Sequence, residues 1–358
     1  MSRRLGCACA ALLLFCHSLA AAAGEPYVTA DKLASEARTV DLGVQPLGYP
    51  NAMIGAVMRR DRILKGKLER LGRPLATFPF RRGADMVDLL ADGRLEAGLL
   101  GDMPTIMLAV RARVVIAGLV KSSATAVVSR QEGLLASLRG KRVAYVPNSS
   151  AHYTLLQALA SVGMSESDVT LVALPVDEMP AALAQARVDA FAGWEPAPSV
   201  ALAENPRARV VFRGLSSAYL VLTRRLVEES PEAALEMVAA LARALEWMRA
   251  SRNNIESAAR WAMADGAAFS GRPADLTLER AVAIARREIL DIPAAPALPA
   301  ANADQKPLFG EFAFLQKLGK LAADARWERV SAAFAYAGLQ RVMAAPASYR
   351  PYAFDYEP

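Results

Sequence analysis

Four short segments bring together residue types suited to gripping a negatively charged group: Tyr49-Pro50-Asn51, Gly101-Asp102-Met103-Pro104, Asn148-Ser149-Ser150-Ala151 and Trp194-Glu195-Pro196. Each joins an apolar, strand-like run to the start of a helical pattern. Proline suits the first helical turn because the amide hydrogen it lacks would find no partner there, and Asn, Asp and Ser cap the free amides nearby. In open parallel sheets the carboxyl ends of the strands face one crevice, so these junctions could line a common site. Exposed amides and the positive end of each helix dipole would draw an anion there, each exposed contact being worth about 0.3 to 1 kcal/mol. The expected chemistry is oxyanion capture. The candidate ligand-binding residues are Tyr49, Asn51, Gly101, Asp102, Met103, Ser149, Ser150, His152, Trp194 and Glu195.

Each candidate also has an ordinary structural explanation. Asp102 either caps its helix or hydrogen-bonds an amine, because a carboxylate facing an anion repels it. Ser149 and Ser150 are caps on either reading, and the same donors serve an anion. His152 is a neutral structural donor or an oxyanion donor. Trp194 is core or the apolar wall of a pocket. Arg81 or Arg82, just after a strand, could supply charge, although a solvated doublet is the commoner outcome. Tyr153, Trp247, Trp261 and Trp327 read as packing residues.

Much catalytic chemistry is excluded by what the chain lacks. Residues 1–23 read as an export signal: basic Arg3-Arg4, an apolar stretch from Leu5 to Cys16, and a small-residue end at Ser18-Leu19-Ala20-Ala21-Ala22-Ala23. All three cysteines, Cys7, Cys9 and Cys16, fall within it. Phe15 is bulky where lipoprotein processing wants a small side chain before the cysteine, which favours release over a lipid anchor at Cys16. The exported chain then has no thiol for a disulfide, a metal or a nucleophile, and His152 is its single imidazole. Neither HExxH nor GxSxG occurs. No catalytic residue, metal or cofactor is expected.

The 358 residues are 54% hydrophobic, 22% charged and 7% aromatic, which describes a globular chain long enough for two lobes. The formal charge of +6 is dispersed in doublets such as Arg59-Arg60 and Arg224-Arg225 with acids between them, so nucleic acid is not an expected partner. Periodicity predicts strands at Thr39 to Val44, Ala76 to Phe80, Glu96 to Leu100, Val114 to Val120, Thr125 to Val128, Arg142 to Val146, Val169 to Ala173 and Val188 to Ala192. Helices are predicted from Ala52, over Ala84 to Ala91, Pro104 to Val110 and Ser150 to Val162, after Pro196, and in long alanine-rich form from Pro231 with a Pro/Ala interruption from Ile292 to Pro299. Strands alternating with helices make an α/β chain with mostly parallel sheet.

At the junctions the sequence resembles the solute-binding proteins that serve ABC importers for aliphatic sulfonates, taurine and nitrate. Gly101-Asp102-Met103-Pro104 is similar to that family's GD-x-P segment. Leu138-Arg139-Gly140-Lys141 followed by Ser149-Ser150-Ala151-His152-Tyr153 resembles its L-x-G-K element and the segment after the next strand. Val188-Asp189-Ala190 through Trp194-Glu195-Pro196 is similar to its VDA-x-x-x-W-[DE]-P element. Arg187 stands where the family commonly has glycine, and Gly48-Tyr49-Pro50-Asn51 lacks the polar pattern of its sulfonate binders.

The resemblance implies a type II-like periplasmic binding protein of two α/β lobes with the ligand cleft between them. It implies lobe I over 24–122, lobe II over 123–215, a return to lobe I over 216–291, and a helical extension over 292–358 packed on lobe I. The implied function is extracytoplasmic, periplasmic capture of a small organic oxyanion by a monomer, an aliphatic sulfonate first, for delivery to an ABC permease and ATPase in the inner membrane. Nitrate, an aromatic acid or a thiamine precursor are alternative ligands, and a sensor using the same cleft is another reading. A desulfinase-like enzyme resembles the same architecture but relies on a cysteine that the exported chain lacks.

Overall fold

The computed structural model describes residue 33 and residues 38–131, 133–290 and 308–358. The export signal read over residues 1–23 and the Pro/Ala stretch at 292–299 lie outside these. No helix among the described residues is long and apolar enough to cross a membrane.

Eight strands form one sheet: β1 (Val40–Val44), β2 (Leu75–Pro79), β3 (Ala97–Gly101), β4 (Val114–Ser129), β5 (Arg142–Tyr145), β6 (Thr170–Ala173), β7 (Ala190–Trp194) and β8 (Arg209–Thr223). Their order is β2-β1-β3-β8-β4-β7-β5-β6. β1 pairs parallel with β2 and β3, and β5 pairs parallel with β6 and β7. The two parallel halves are joined by β4 and β8, which run antiparallel along nearly their full lengths, with register shifts at Ile116/Gly118, Leu119/Lys121 and Val127/Val128. β3 and β7 attach to this central pair from either side, also antiparallel.

Alternation along the strands covers both faces of each half, as the two-residue period of a pleated sheet requires. Leu42, Leu99 and Leu220 face a cluster completed by the helices Asn51–Met58, Pro231–Ala250 and Arg252–Ser270. Leu100, Ile116 and Tyr219 face the other, completed by the helices Asp102–Arg111 and Phe309–Lys317. In the second half Val128 and Phe191 point one way and Val127 and Ala192 the other.

Most predicted strands match within two residues, but two readings are corrected. Val114 to Val120 and Thr125 to Val128 are one 16-residue strand, because the polar stretch Lys121-Ser122-Ser123-Ala124 pairs with Ala218 to Leu215 instead of turning. β8 carried no prediction: Arg213-Gly214 and Ser216-Ser217 interrupt its apolar pattern. The helix read over Ala84 to Ala91 is a tight 3-10 turn, Gly83–Met86, followed by a short helix, Val87–Ala91.

Glycine is required at 214, where the helix Ser150–Ser161 crosses β8. A β-carbon there would stand 2.3 Å from Thr154 Oγ1 and 2.9 Å from its Cγ2. Gly214→Ala is expected to lower stability by about 1 to 3 kcal/mol, the usual cost of overpacking. In urea unfolding this would appear as a lower midpoint with an unchanged slope.

Candidate functional site

At the junction of the two halves lies an open cleft of about 740 Å³, counted out to the solvent at its mouth, floored by the central strands and walled by helix starts from both sides. Seven of the ten candidates line it: Tyr49, Asn51, Gly101, Asp102, Ser149, Ser150 and Trp194. The other three lie elsewhere. Met103 is fully buried among Leu100, Ile106 and Tyr219. His152 accepts at Nδ1 from the Asn148 amide at 3.2 Å and so donates from Nε2 to Glu166 at 3.0 Å, with Tyr145 and Phe314 against its ring. The Glu195 carboxylate takes the Ser199 amide and Arg287, while its carbonyl accepts the Tyr49 amide at 2.9 Å. Glu195 thus ties the halves together at the edge of the cleft.

The four junctions do open helices, Asn51–Met58, Asp102–Arg111, Ser150–Ser161 and Ala197–Glu204, but the expected capping holds at one of them. Ser149 accepts from the His152 amide at 3.2 Å, whereas Pro50, Gly101 and Pro196 occupy the cap positions of the others without a side-chain bond. The peptides before Pro50 and Pro196 are cis. Asp102 sits one residue inside its helix. Its Oδ1 accepts the Met103 amide at 2.7 Å and its Oδ2 the Ser217 amide of β8 at 3.2 Å, just beyond the last β3–β8 rung at Gly101 and Ala218. It is both a first-turn acid and a hook that holds β8 to the helix start. Trp194 is half-buried, backed by apolar side chains of the second half and facing the cleft, so core and wall are the same position.

A buried cation that lines the cleft was not among the candidates. Lys121 is 6% exposed and lines the cleft from β4. Its Nζ donates to Ser123 Oγ and, at 3.3 Å, to Ser216 Oγ, which in turn donates to Ser150 Oγ at 3.1 Å. The sequence does carry a signal for it: Lys121 is the single charged residue between Val114 and Val128. Ser216 comes from β8. Gln45 and Ala218 also line the cleft, as does Arg82, which is held by Asp85. Arg81 instead crosses to Asp177 and Glu178 of the second half at 2.7 and 3.0 Å, and Arg272 meets the same Asp177 at 2.7 Å.

Burial pushes the Asp102 carboxyl up to about 6. The Glu311 carboxylate adds to the rise, while Lys121 and the two amides oppose it. Asp102 is thus the counter-charge to Lys121 above about pH 6 and a neutral acid well below it. The arrangement suits an oxyanion at one end: a buried ammonium, two serine hydroxyls and the start of the helix Ser150–Ser161, whose first amides have no acceptor within the helix. Among the described residues no group of three or more His, Cys, Asp or Glu side chains is placed to hold a metal ion.

Residues 34–263 match the NMT1-like family. The chain belongs to that family. This NMT1-like chain is 30% identical over 165 residues to an Escherichia coli (strain K12) protein named "Putative aliphatic sulfonates-binding protein", a match covering 44% of this chain and about half, 51%, of that relative. Its fold is that of the alkanesulfonate-binding protein SsuA from Xanthomonas axonopodis pv. citri bound to MOPS, with TM-score 0.61 and 21% identity over 84% of this chain and 99% of the other. The periplasmic nitrate-binding protein NrtA from Synechocystis PCC 6803 shares it at TM-score 0.58 and 14% identity, over 89% and 92% of the two chains. The expected α/β binding-protein architecture of two lobes is therefore the fold of the NMT1-like chain.

Because the folded chain holds the Asp102 proton above its ordinary value of 3.8, this group favours folding most below that pH and loses its contribution as pH rises through about 6. Relative to Asp102→Asn, the wild-type protein should lose on the order of 2 to 3 kcal/mol of unfolding free energy between pH 4 and pH 7. Parallel urea titrations of the two proteins at each pH check this, and a constant difference would show that Asp102 does not titrate there.

Proposed function

We propose that the protein is the extracytoplasmic solute-binding component of an ABC importer and that it captures a small organic oxyanion, an aliphatic sulfonate first, without transforming it. The observation that carries this reading is Lys121: an almost fully buried ammonium opening into a cleft beside the hydroxyls of Ser150 and Ser216. A positively charged donor beside two hydroxyls at a cleft floor suits a site that receives an anion, because charge-assisted hydrogen bonds to an oxyanion are the strong ones. Tyr49 and Trp194 on its walls offer apolar surface that nitrate has no group to meet, which favours an organic group on the anion. The sulfonate-binding relative and the alkanesulfonate-binding neighbour support the same ligand class.

In this reading the parallel halves are the lobes, 24–122 with 216–291 and 123–215, and the helix Phe309–Lys317 packs on the first while its Phe314 also meets His152 and Tyr153 of the second. Ligand touches Tyr49 and Asn51 from one lobe and Ser149, Ser150 and Trp194 from the other, so only the closed form makes every contact and binding shifts the population toward it. The closed form is what an inner-membrane permease would recognise. A periplasmic location follows from the export signal and from this role. Binding without turnover fits the absence of cysteine after residue 16, which denies the chain a sulfinate-cleaving nucleophile.

The purified protein, titrated with short alkanesulfonates, nitrate, sulfate and benzoate, is expected to melt higher with the sulfonates. The gain should approach about 2.7 kcal/mol at a hundredfold excess over Kd. Lys121→Met should weaken sulfonate binding roughly thirtyfold or more, because one side of a buried charge contact is lost. No melting shift with any anion, or an unchanged affinity in Lys121→Met, would sink the reading.

A further inference from the structure

We propose that the first half carries a second anion site, at the end away from the cleft, and that it takes a phosphate group. This goes beyond the oxyanion reading and does not depend on it. A hollow there is lined by Arg111, Arg113, Arg224 and Arg329, with alanine side chains between them. Each arginine comes from a different part of the chain. Arg111 ends the helix Asp102–Arg111, Arg113 directly precedes β4, Arg224 directly follows β8, and Arg329 lies on the helix Trp327–Ala333, past the residues 34–263 matched to the NMT1-like family. The rung between Val114 and Thr223, and the bond from the Arg224 amide to the Arg113 carbonyl at 3.1 Å, set two of them side by side. Asp102 lines the cleft and Arg111 the hollow from opposite ends of one helix, so about 14 Å of helix axis separates the two places.

Among the described residues no acid lines the hollow. Carboxylates meet the arginines from outside it: Asp88 with Arg111 at 2.6 Å, and Glu228 with Arg113 at 3.4 Å and with Arg224 at 3.8 Å. Asp88 and Glu228 are 74% and 55% exposed, so water and salt screen their hold. Arg329 donates to the Val110 carbonyl at 2.6 Å, at a helix end whose carbonyls attract a cation. That bond accounts for one guanidinium of the four. Arg111 and Arg113 are themselves 51% and 77% exposed, so a solute reaches them. A concave surface with an excess of one sign of charge concentrates counter-ions. Guanidinium forks match phosphate oxygens two at a time, and a tetrahedral anion takes forks from several directions where a carboxylate offers a single plane. The alanines between the arginines leave room for such a group and do not compete for the forks.

The phosphate is either free in solution or carried on a lipid headgroup, and two measurements separate these sources. Calorimetric titration with inorganic phosphate and with pyrophosphate at fixed ionic strength reads the free form. Cosedimentation with vesicles of phosphatidylglycerol and phosphatidylcholine, against phosphatidylcholine alone, reads the lipid form. Binding in the titration assigns a soluble ligand, and binding to the anionic vesicles alone assigns a headgroup. In either case Arg111→Gln/Arg113→Gln is expected to weaken binding roughly tenfold or more. Lys121→Met, at the distant cleft, should change it less than about twofold. Should the double variant fail to fold, Arg113→Gln alone is expected to weaken binding at least about threefold. The inference is overturned if neither form binds, if the arginine variants bind as the wild type does, or if Lys121→Met abolishes binding. Each of those results leaves the reading of the cleft as it stands.

Discussion

The pairing of β4 with β8 is the constraint on which the rest of the molecule depends. These two antiparallel strands run through both halves of the sheet, so each half receives its parallel strands along edges of the same ladder. Their middle, from Lys121 to Ala124 opposite Leu215 to Ala218, is polar where the ends are apolar. Polar residues can be kept there because they face the cleft and bond to one another: Lys121 to Ser123 and Ser216, and Ser216 to Ser150. The break in hydrophobic pattern and the floor of the site are thus one feature, and Asp102 fastens it by holding the Ser217 amide.

Contacts that bridge the two sides of the cleft are of two strengths. The Tyr49 amide to the Glu195 carbonyl is a short backbone bond at the cleft edge. The ion pairs of Asp177 with Arg81 and Arg272, and of Glu195 with Arg287, involve arginines roughly half exposed, and such pairs contribute only about 0 to 1 kcal/mol each and are screened by salt. Apart from Lys121 and Asp102, several buried charges lie away from this boundary. Arg243 meets Asp61 at 2.6 Å and also donates to the Tyr349 carbonyl, while Arg59 and Arg60 share Asp265, so the segment at Tyr349 and the Arg59-Arg60 doublet are tied into the first half. Stacked Trp247 and Trp261, 5.3 Å apart with Tyr356 against them, complete that base as the packing residues they were read to be. In the proposed reading, exposed ion pairs of this kind across the cleft let ligand contacts set the balance between open and closed forms.

The sequence by itself determined the α/β class, most of the strands and the junctions at which the site assembles. Alternating periods of two and 3.6 residues and the Pro, Ser and Asp at helix starts are local signals, and seven residues picked from those junctions line a single cleft. Tertiary structure decided what local pattern could not carry. β8 is a strand because β4 pairs with it, despite Gly214 and two serines in its middle. Lys121 lines the cleft because the chain crosses between halves there, and the Asp102 carboxyl is pushed up first by burial and then by Glu311, which a remote segment brings near it. His152 and Glu195 have the right chemistry at the right junctions, yet Glu166, just past the end of the His152 helix, and Arg287, from the other half, claim them. A side chain's neighbours are set by chain reversals that bring remote residues together, and spacing along the sequence does not encode which of them arrive.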